Sequence, residues 1–187
     1  MKCFIISQPK AGTYLCANLL SEFGLGFDGY HISPQHYQKH DIDNLDQARK
    51  NRRNTKTKSS LAESLHLIKE NYFGVGHLEH TDTTEELLTN FKKILLLRDL
   101  ETSKQSWHRW AKAQGKSLTT YNLNKKHRQG IANWQNKSSV YTLDFFDLKN
   151  RNKEKIEHLQ LFLFGKVMYD SFKCIDNALN RNSFTKV

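Results

Sequence analysis

The chain has 187 residues, of which 29 are basic and 19 are acidic, so its formal net charge is +10. That length suits a single domain, and that charge favours anionic partners: nucleotides, nucleic acid, or phosphorylated and sulfated substrates. Hydrophobic residues make up 37% of the chain and gather in short apolar runs that must be buried, which excludes a wholly disordered protein. No apolar stretch approaches the ~20 residues of a membrane-spanning helix.

The three cysteines, Cys3, Cys16 and Cys174, are widely spaced along the chain. Their odd number and their spacing argue against a disulfide framework and against a cysteine-based zinc site. The apolar run at the N-terminus is too short for a signal peptide and is followed at once by a polar loop. We therefore expect a cytoplasmic protein with reduced thiols.

A strand, a tight loop and a helix open the chain. Residues 3–6 are apolar, β-branched or aromatic, which predicts a short buried strand that ends at Ser-Gln-Pro. Residues 13–23 follow a helical pattern, with leucines on one face and Gly24 as a C-cap. This order is the beginning of a βαβ unit.

Residues 41–59 are polar and rich in lysine and arginine. We expect them to form a flexible basic insertion within a single domain that covers residues 1–187. The alternative is a basic flap that covers an anionic substrate. A helix with an apolar stripe is predicted next, at 60–70.

The rest of the chain alternates strands with helices. Short apolar runs predict strands at 73–76, 93–97 and 140–143. Continuously apolar strands that alternate with helices indicate a three-layer α/β/α fold with a central, mainly parallel sheet, similar to P-loop proteins. Helical patterns occupy residues 83–91, 101–114, 119–136, 153–164 and 166–179.

Polar features follow three of these predicted strands. The segment Ser7–Thr13 follows the first strand, His77 follows the strand at 73–76, and Arg98 follows the strand at 93–97. The carboxyl ends of parallel strands meet at one edge of a sheet, where α/β proteins bind their ligands. We therefore expect the three features to form one site.

The first feature has the chemistry of a phosphate-binding loop. Backbone N–H groups at a helix start bind oxyanions, and Gly12 lets the backbone approach them closely. Lys10 adds a cation and Thr13 a hydroxyl. The loop differs from the Walker pattern, because its lysine precedes the glycine. An ordinary strand–helix turn is the alternative interpretation.

Arg98 and Ser106 indicate a second phosphate site. Ser106 lies eight residues after Arg98, in the second turn of the predicted helix, within reach of a phosphate bound by the guanidinium fork. The alternative is a surface ion pair of Arg98 with Asp99 or Glu101, and a serine on the helix surface.

These segments resemble motifs of the sulfotransferases that use 3′-phosphoadenylyl sulfate (PAPS). Pro9–Thr13 is similar to their loop for the 5′-phosphosulfate. The run Leu95–Asp99 followed by Ser106 is similar to their motif for the 3′-phosphate, and Gly76–Leu78 is similar to the segment that carries their catalytic histidine. The resemblance continues, in the family's order, through Val140–Leu148 and the helix that ends at Phe162–Gly165.

The resemblance implies that the chain binds PAPS and its product PAP, an anionic nucleotide. The 5′ end would be held by the loop, and the 3′-phosphate by the second motif. Transferred residue by residue, the implied nucleotide-binding set is Lys10, Ala11, Gly12, Thr13, Tyr14, Arg98 and Ser106.

The resemblance further implies sulfuryl transfer from PAPS to a hydroxyl or amine, with Lys10 and His77 as catalytic residues. Lys10 would stabilise the bridging oxygen of the leaving group, and His77 would take the acceptor's proton. Glu79 and His80 compete with His77 for that role. The scheme requires no metal, leaves the acceptor unidentified and does not include nucleic acid as a partner.

The chain also departs from the family pattern. Ala11 and Tyr14 stand where serine and threonine are common. The family's late Arg-Lys-Gly clamp has only a superficial counterpart, Arg128–Gly130, which precedes the strand at 140–143 instead of following it. We interpret that counterpart as part of the helix at 119–136. Three alternatives stay open: a P-loop-like nucleotide or small-molecule kinase, a basic nucleic-acid-binding domain, and a sulfotransferase-like protein without turnover.

Overall fold

The computed structural model describes residues 1–27, 29–33, 60–113, 115 and 125–181 with their side chains, and residues 36–39 and 57–58 as backbone. The strands of these residues form one sheet, in which five neighbouring strands run parallel and two further strands add antiparallel at one edge. The expected mainly parallel sheet is confirmed. The strands are β1 (Lys2–Ser7), β2 (Tyr30–Ser33), β3 (His36–Lys39), β4 (Thr57–Lys58), β5 (Phe73–Gly76), β6 (Phe91–Leu97) and β7 (Val140–Asp144). Their spatial order is β4-β3-β2-β5-β1-β6-β7.

Several of the helices begin at a residue whose side chain accepts a backbone N–H of the first turn, as Ser60, Thr81, Asp144 and Asn152 do. In the described part of the chain, none of the helices combines the length and the apolar character that a membrane crossing needs. The helices are α1 (Thr13–Glu22), α2 (Leu61–His66), α3 (Asp82–Leu87), α4 (Leu100–Ala113), α5 (Lys125–Ala132), α6 (Phe145–Lys149), α7 (Lys153–Phe164) and α8 (Ser171–Arg181), with a 3-10 helix at Asn133–Asn136.

Helices cover both faces of the sheet and enclose two apolar layers. Successive side chains of β1 alternate, so that Cys3 and Ile5 enter the first layer while Phe4 and Ile6 enter the second. Helices α1, α6, α7 and α8 contribute to the first layer. Helices α2 and α5 and the 3-10 helix contribute to the second, where Trp134 is fully buried. The expected three-layer α/β/α architecture is confirmed.

Each predicted strand is present. β2 and β3 were not predicted, because each is a run of only four residues that mixes polar with apolar side chains, which is too short to be separated from a loop. The helices predicted at 60–70 and 83–91 are shorter, as α2 and α3. Residues 41–56, most of the predicted basic insertion, and residues 119–124 of the predicted helix lie outside the described residues.

Helix α8 begins later than predicted because a buried side chain holds the preceding segment in another conformation. Gly165 ends α7 with a left-handed φ of 72°. Beyond it, the Gln160 side chain accepts the backbone N–H groups of Met168 at 2.9 Å and Tyr169 at 2.8 Å, and donates to the Tyr169 carbonyl at 3.0 Å. These bonds satisfy the backbone without helix, so the helix starts only after them.

Trp134→Phe tests the second apolar layer. The Trp134 Nε1–H donates to the Leu78 carbonyl at 3.0 Å in a fully buried position. Phenylalanine removes that donor and part of the ring, so we expect the free energy of unfolding to fall by about 1–3 kcal/mol. Urea unfolding measures the change. The exposed neighbour Gln135 provides the control, and a Trp134→Phe variant as stable as Gln135→Ala would contradict this description.

Candidate functional site

The loop between β1 and α1 is built around two residues with left-handed backbone. Lys10 has φ 61° and Gly12 has φ 93°. Gly12 is also the N-cap of α1 and provides no side-chain cap, so no capping side chain competes with an anion at the start of this helix. A Cβ atom on Gly12 would lie 2.6 Å from the ring of Phe145, so both conformation and space require glycine there.

The Ala11 side chain does not face the loop's ligand side. It is fully buried and belongs to the first apolar layer. Its N–H donates to the Gln8 carbonyl at 3.1 Å, which closes the turn. Ala11 stands where the resemblance leads us to expect serine. Its methyl group leaves no polar atom buried in the core, as a serine hydroxyl would.

His77 is bonded to the end of β1. Its Nδ1–H donates to the Ser7 carbonyl at 2.6 Å, and the Ser7 hydroxyl shares a hydrogen bond of 2.7 Å with the Thr13 hydroxyl. With the proton on Nδ1, Nε2 carries the lone pair. Ser7 therefore links the imidazole of His77 to Thr13 at the start of α1.

Burial lowers the pKa of His77 to about 4, from its ordinary value of 6.5. The hydrogen bond to Ser7 acts in the opposite direction on this pKa, and the electrostatic influence of His127 and Lys10 lowers it further. The imidazole is therefore neutral at neutral pH, as a general base must be before it takes a proton.

The two competing residues have other partners. The Glu79 carboxylate accepts from His127 Nδ1–H at 2.6 Å. His80 donates from Nε2 to Glu85 at 2.8 Å, and its ring meets the ring of Trp134 edge to face at 4.8 Å. Of the three candidates, His77 is therefore the one bonded to the loop side of the sheet edge. No group of three His, Cys, Asp or Glu side chains in the described residues is placed to hold a metal ion.

A second histidine, which the sequence did not single out, adjoins His77. The rings of His31 and His77 are 4.6 Å apart, and the Tyr14 hydroxyl lies 3.4 Å from His31 Nδ1. The Tyr14 side chain therefore contacts the histidine that adjoins His77. His31 was missed because β2 was missed.

Arg98 lies under the loop and is buried. Its Nη1–H donates to the Lys10 carbonyl at 3.2 Å and its Nε–H to the Thr102 hydroxyl at 2.9 Å, while the guanidinium stacks 3.8 Å from the centre of the Phe145 ring. These contacts make Arg98 part of the loop's support, unlike a solvated surface cation. Ser106 is half-buried in the second turn of α4, and within the described residues its hydroxyl makes no hydrogen bond.

Lys10 extends over the aromatic face of α4. Its Nζ lies 4.2 Å from the centre of the Trp110 ring and 5.3 Å from that of Trp107. Such a cation–π contact contributes about 0.5–2 kcal/mol. The two tryptophans that follow the second motif therefore hold the lysine of the first.

Gln8 and Arg128 join the loop to α5. The Gln8 side-chain oxygen accepts from the Arg98 backbone N–H at 3.3 Å and from Arg128 Nη2–H at 3.2 Å. The same Nη2 donates to the Arg98 carbonyl at 2.7 Å. The interpretation of Arg128–Gly130 as helical is confirmed, but the helix brings Arg128 to the site, which its distance along the sequence did not reveal.

No protein-family model and no curated protein matches the sequence. Among solved structures, mouse sulfotransferase SULT7A1 complexed with PAP aligns with a TM-score of 0.58 and 15% identity, over 97% of this chain and 64% of that one. Retinol dehydratase in complex with androsterone and the inactive cofactor PAP aligns with a TM-score of 0.61 and 16% identity, over 98% of this chain and 65% of that one. The chain thus spans slightly less than two thirds of each of these proteins. It has the fold of the PAPS-dependent sulfotransferases.

The titration of His77 tests the hydrogen bond to Ser7 and the burial. Between pH about 4 and 6.5 the folded protein should bind fewer protons at His77 than the unfolded chain does. Its contribution to stability is then present above pH 6.5 and lost as the pH falls through this window. NMR of the imidazole ring, assigned by comparison with His77→Gln, should show Nδ1 protonated at neutral pH and a midpoint near 4. A midpoint above 6 would contradict the burial of the His77 ring.

Proposed function

We propose that the chain is a sulfotransferase that transfers a sulfuryl group from PAPS to a hydroxyl or amine of an acceptor. The observation that carries the proposal is the hydrogen bond of 2.6 Å from His77 Nδ1–H to the Ser7 carbonyl, because it ties the imidazole to the end of β1, from which the lysine-bearing loop begins. The fold, which is that of proteins solved with PAP, supports the choice of nucleotide. The three cysteines are free thiols, which supports the cytoplasm as the proposed location.

The residues present fit the nucleotide. Its 5′ end would meet the uncapped N–H groups of α1, together with Lys10, Ala11, Gly12, Thr13 and Tyr14 of the loop. Its 3′-phosphate would be held by Arg98 and Ser106, the two residues that the resemblance assigns to it. When bound, PAPS supplies the activated sulfuryl group.

The chain's own residues would then stabilise the negative charge that develops on the leaving group and take the proton of the acceptor. The Lys10 ammonium would leave the tryptophan faces for the phosphosulfate, because a charge-assisted hydrogen bond of ~1.5–3 kcal/mol outweighs a cation–π contact of ~0.5–2 kcal/mol. There it would stabilise the oxygen that bridges sulfur and phosphorus as this S–O bond breaks. His77 Nε2 would take the acceptor's proton as the new bond to sulfur forms, and PAP would leave.

The kinase alternative lacks support at the loop. A Walker loop places a magnesium-binding hydroxyl directly after its lysine. Here the residue after Lys10 is Ala11, whose side chain is buried in the core. The nucleic-acid alternative has its main basis in the basic residues of 41–59, most of which lie outside the described residues.

Nucleotide preference tests the binding part of the proposal. By isothermal titration, the protein should bind PAP at least about tenfold more tightly than AMP, because AMP lacks the phosphate that Arg98 and Ser106 would hold. Ser106→Ala should reduce that ratio several-fold, whereas Ser138→Ala, an exposed serine just before β7, should not. Equal affinity for PAP and AMP would overturn the proposal. Tighter binding of ATP with magnesium would favour a kinase, and salt-steep binding of RNA without a response to PAP would favour a nucleic-acid binder.

Replacing Lys10 or His77 tests the chemical part. With labelled PAPS and a panel of phenol, amine and sugar acceptors, Lys10→Ala and His77→Gln should each lower transfer by about 10²-fold or more. Thermal unfolding and PAP titration check that each variant folds and still binds. The matched control is Lys104→Ala, since Lys104 lies on α4 and pairs with Glu101 at 2.7 Å, away from the loop. Transfer by Lys10→Ala at the rate of the unsubstituted protein would contradict the proposed mechanism.

A further inference from the structure

A cleft of about 280 Å³ opens beside the loop, between α5 and the start of α4. Two of its lining residues are cations, two are amides and two are apolar, and none is acidic. Two cations without an acidic neighbour in the lining give the cleft a positive potential, which favours an anion there. The lining residues are Gln8, Leu100, Lys125, Arg128, Gln129 and Ala132.

The cleft lies on the other side of the loop from the proposed nucleotide site. Helix α1, whose first turn would bind the nucleotide, and Phe145, which stacks on Arg98, belong to the first apolar layer. Helix α5 contributes Ile131 to the second layer, on the opposite face of the sheet. An anion in the cleft would therefore be a second group, distinct from the phosphates of the nucleotide.

The guanidinium of Arg128 is oriented by two hydrogen bonds and has a further donor. Nη2 donates to the Gln8 side chain at 3.2 Å and to the Arg98 carbonyl at 2.7 Å. Nη1 is buried and finds no hydrogen-bond partner in the described part of the chain. A buried charged donor without a partner is unfavourable, and a negative charge in the neighbouring cleft would offset part of that cost. Lys125 is exposed at the rim of the same cleft.

We propose that this cleft is a subsite for an anionic group on the acceptor, a carboxylate, phosphate ester or sulfate ester held by Arg128 and Lys125. The inference rests on the proposed function and narrows its acceptor to a negatively charged molecule. Gln8, which lines the cleft, directly follows Ser7, whose carbonyl holds His77. An acceptor anchored at Arg128 would therefore be held close to the strand end to which His77 is bonded.

The binding experiment uses simple anions, so it does not depend on an acceptor scaffold. Protein labelled with ¹⁵N and saturated with PAP is titrated with acetate, inorganic phosphate and inorganic sulfate, with ionic strength matched by sodium chloride. We expect saturable shifts of the α5 amides and of the Arg128 Nε–H, and the anion that binds tightest identifies the acidic group. Lys125→Gln and Arg128→Gln should weaken binding about tenfold or more, and Lys126→Gln, a neighbour outside the cleft lining, should not. Shifts no larger than those from sodium chloride would overturn the subsite.

A transfer experiment then tests the link to the acceptor. Transfer to 4-hydroxyphenylacetate is compared with transfer to the neutral 4-hydroxyphenylethanol, which carries an alcohol in place of the carboxylate. The ratio of kcat/KM should favour the anion, and Lys125→Gln should lower the ratio about tenfold while Lys126→Gln leaves it unchanged. Lys125 is exposed, so its variant is expected to fold even if Arg128→Gln does not. An unchanged ratio in Lys125→Gln would overturn the acceptor role.

The two proposals fail in distinguishable ways. If PAP binds and PAPS serves as donor, but simple anions leave the α5 amides unaffected, the proposed function stands and the anionic subsite is contradicted. If PAP does not bind while anions still shift the α5 amides, the proposed function falls, and with it the acceptor role of the cleft.

Discussion

The parallel pairing of β1 with β5 on one side and β6 on the other is the constraint on which the site depends. In this register Ile6 lies opposite Gly76 and also opposite Leu95, so the ends of the three strands lie within two residues of one another. The residue that follows β5 is His77, and the loop follows β1. A Cβ on Gly76 would lie 2.2 Å from the Ile32 carbonyl, so glycine is what lets β2 approach and place its own histidine beside His77.

The sheet edge holds buried polar side chains that satisfy one another. Ser7, Gln8, Thr13 and Arg98 are each less than 9% exposed. A buried polar group without a partner costs about 1–3 kcal/mol, so a change at Gln8 would affect the backbone of Arg98 and the side chain of Arg128 together. This network holds the strand end that bonds His77 and the start of α1 together. Lys10 differs from these residues, because aromatic faces hold its ammonium and a bound phosphate would compete for it.

The sequence predicted the parts of the site that follow strongly apolar strands. β1 and β6 are unambiguous runs, and the rule that parallel strands end at one edge correctly placed His77 and Arg98 near the loop. His31 and Arg128 could not be found this way. His31 lies on a half-polar strand, and Arg128 reaches the loop through the packing of α5 on the second layer, which no local pattern records. All the roles assigned from the resemblance stay predictions, those of Lys10, His77 and Arg98 as well as those of Ser106 and Tyr14.

The neutral side chain of Gln8 lies between two cationic regions, one on the loop side and one in the cleft. Donor and acceptor would both be anions, and bringing them together in water costs Coulomb repulsion. In the proposed scheme Lys10 and Arg98 would face one anion and Arg128 and Lys125 the other, with Gln8 hydrogen-bonded to the Arg98 backbone and to the Arg128 side chain. Each anion would then be neutralised before the two meet. Of the two cations on the donor side, Arg98 is fixed by hydrogen bonds whereas aromatic rings hold the Lys10 ammonium, so Lys10 would be the one to follow the charge as it moves to the bridging oxygen.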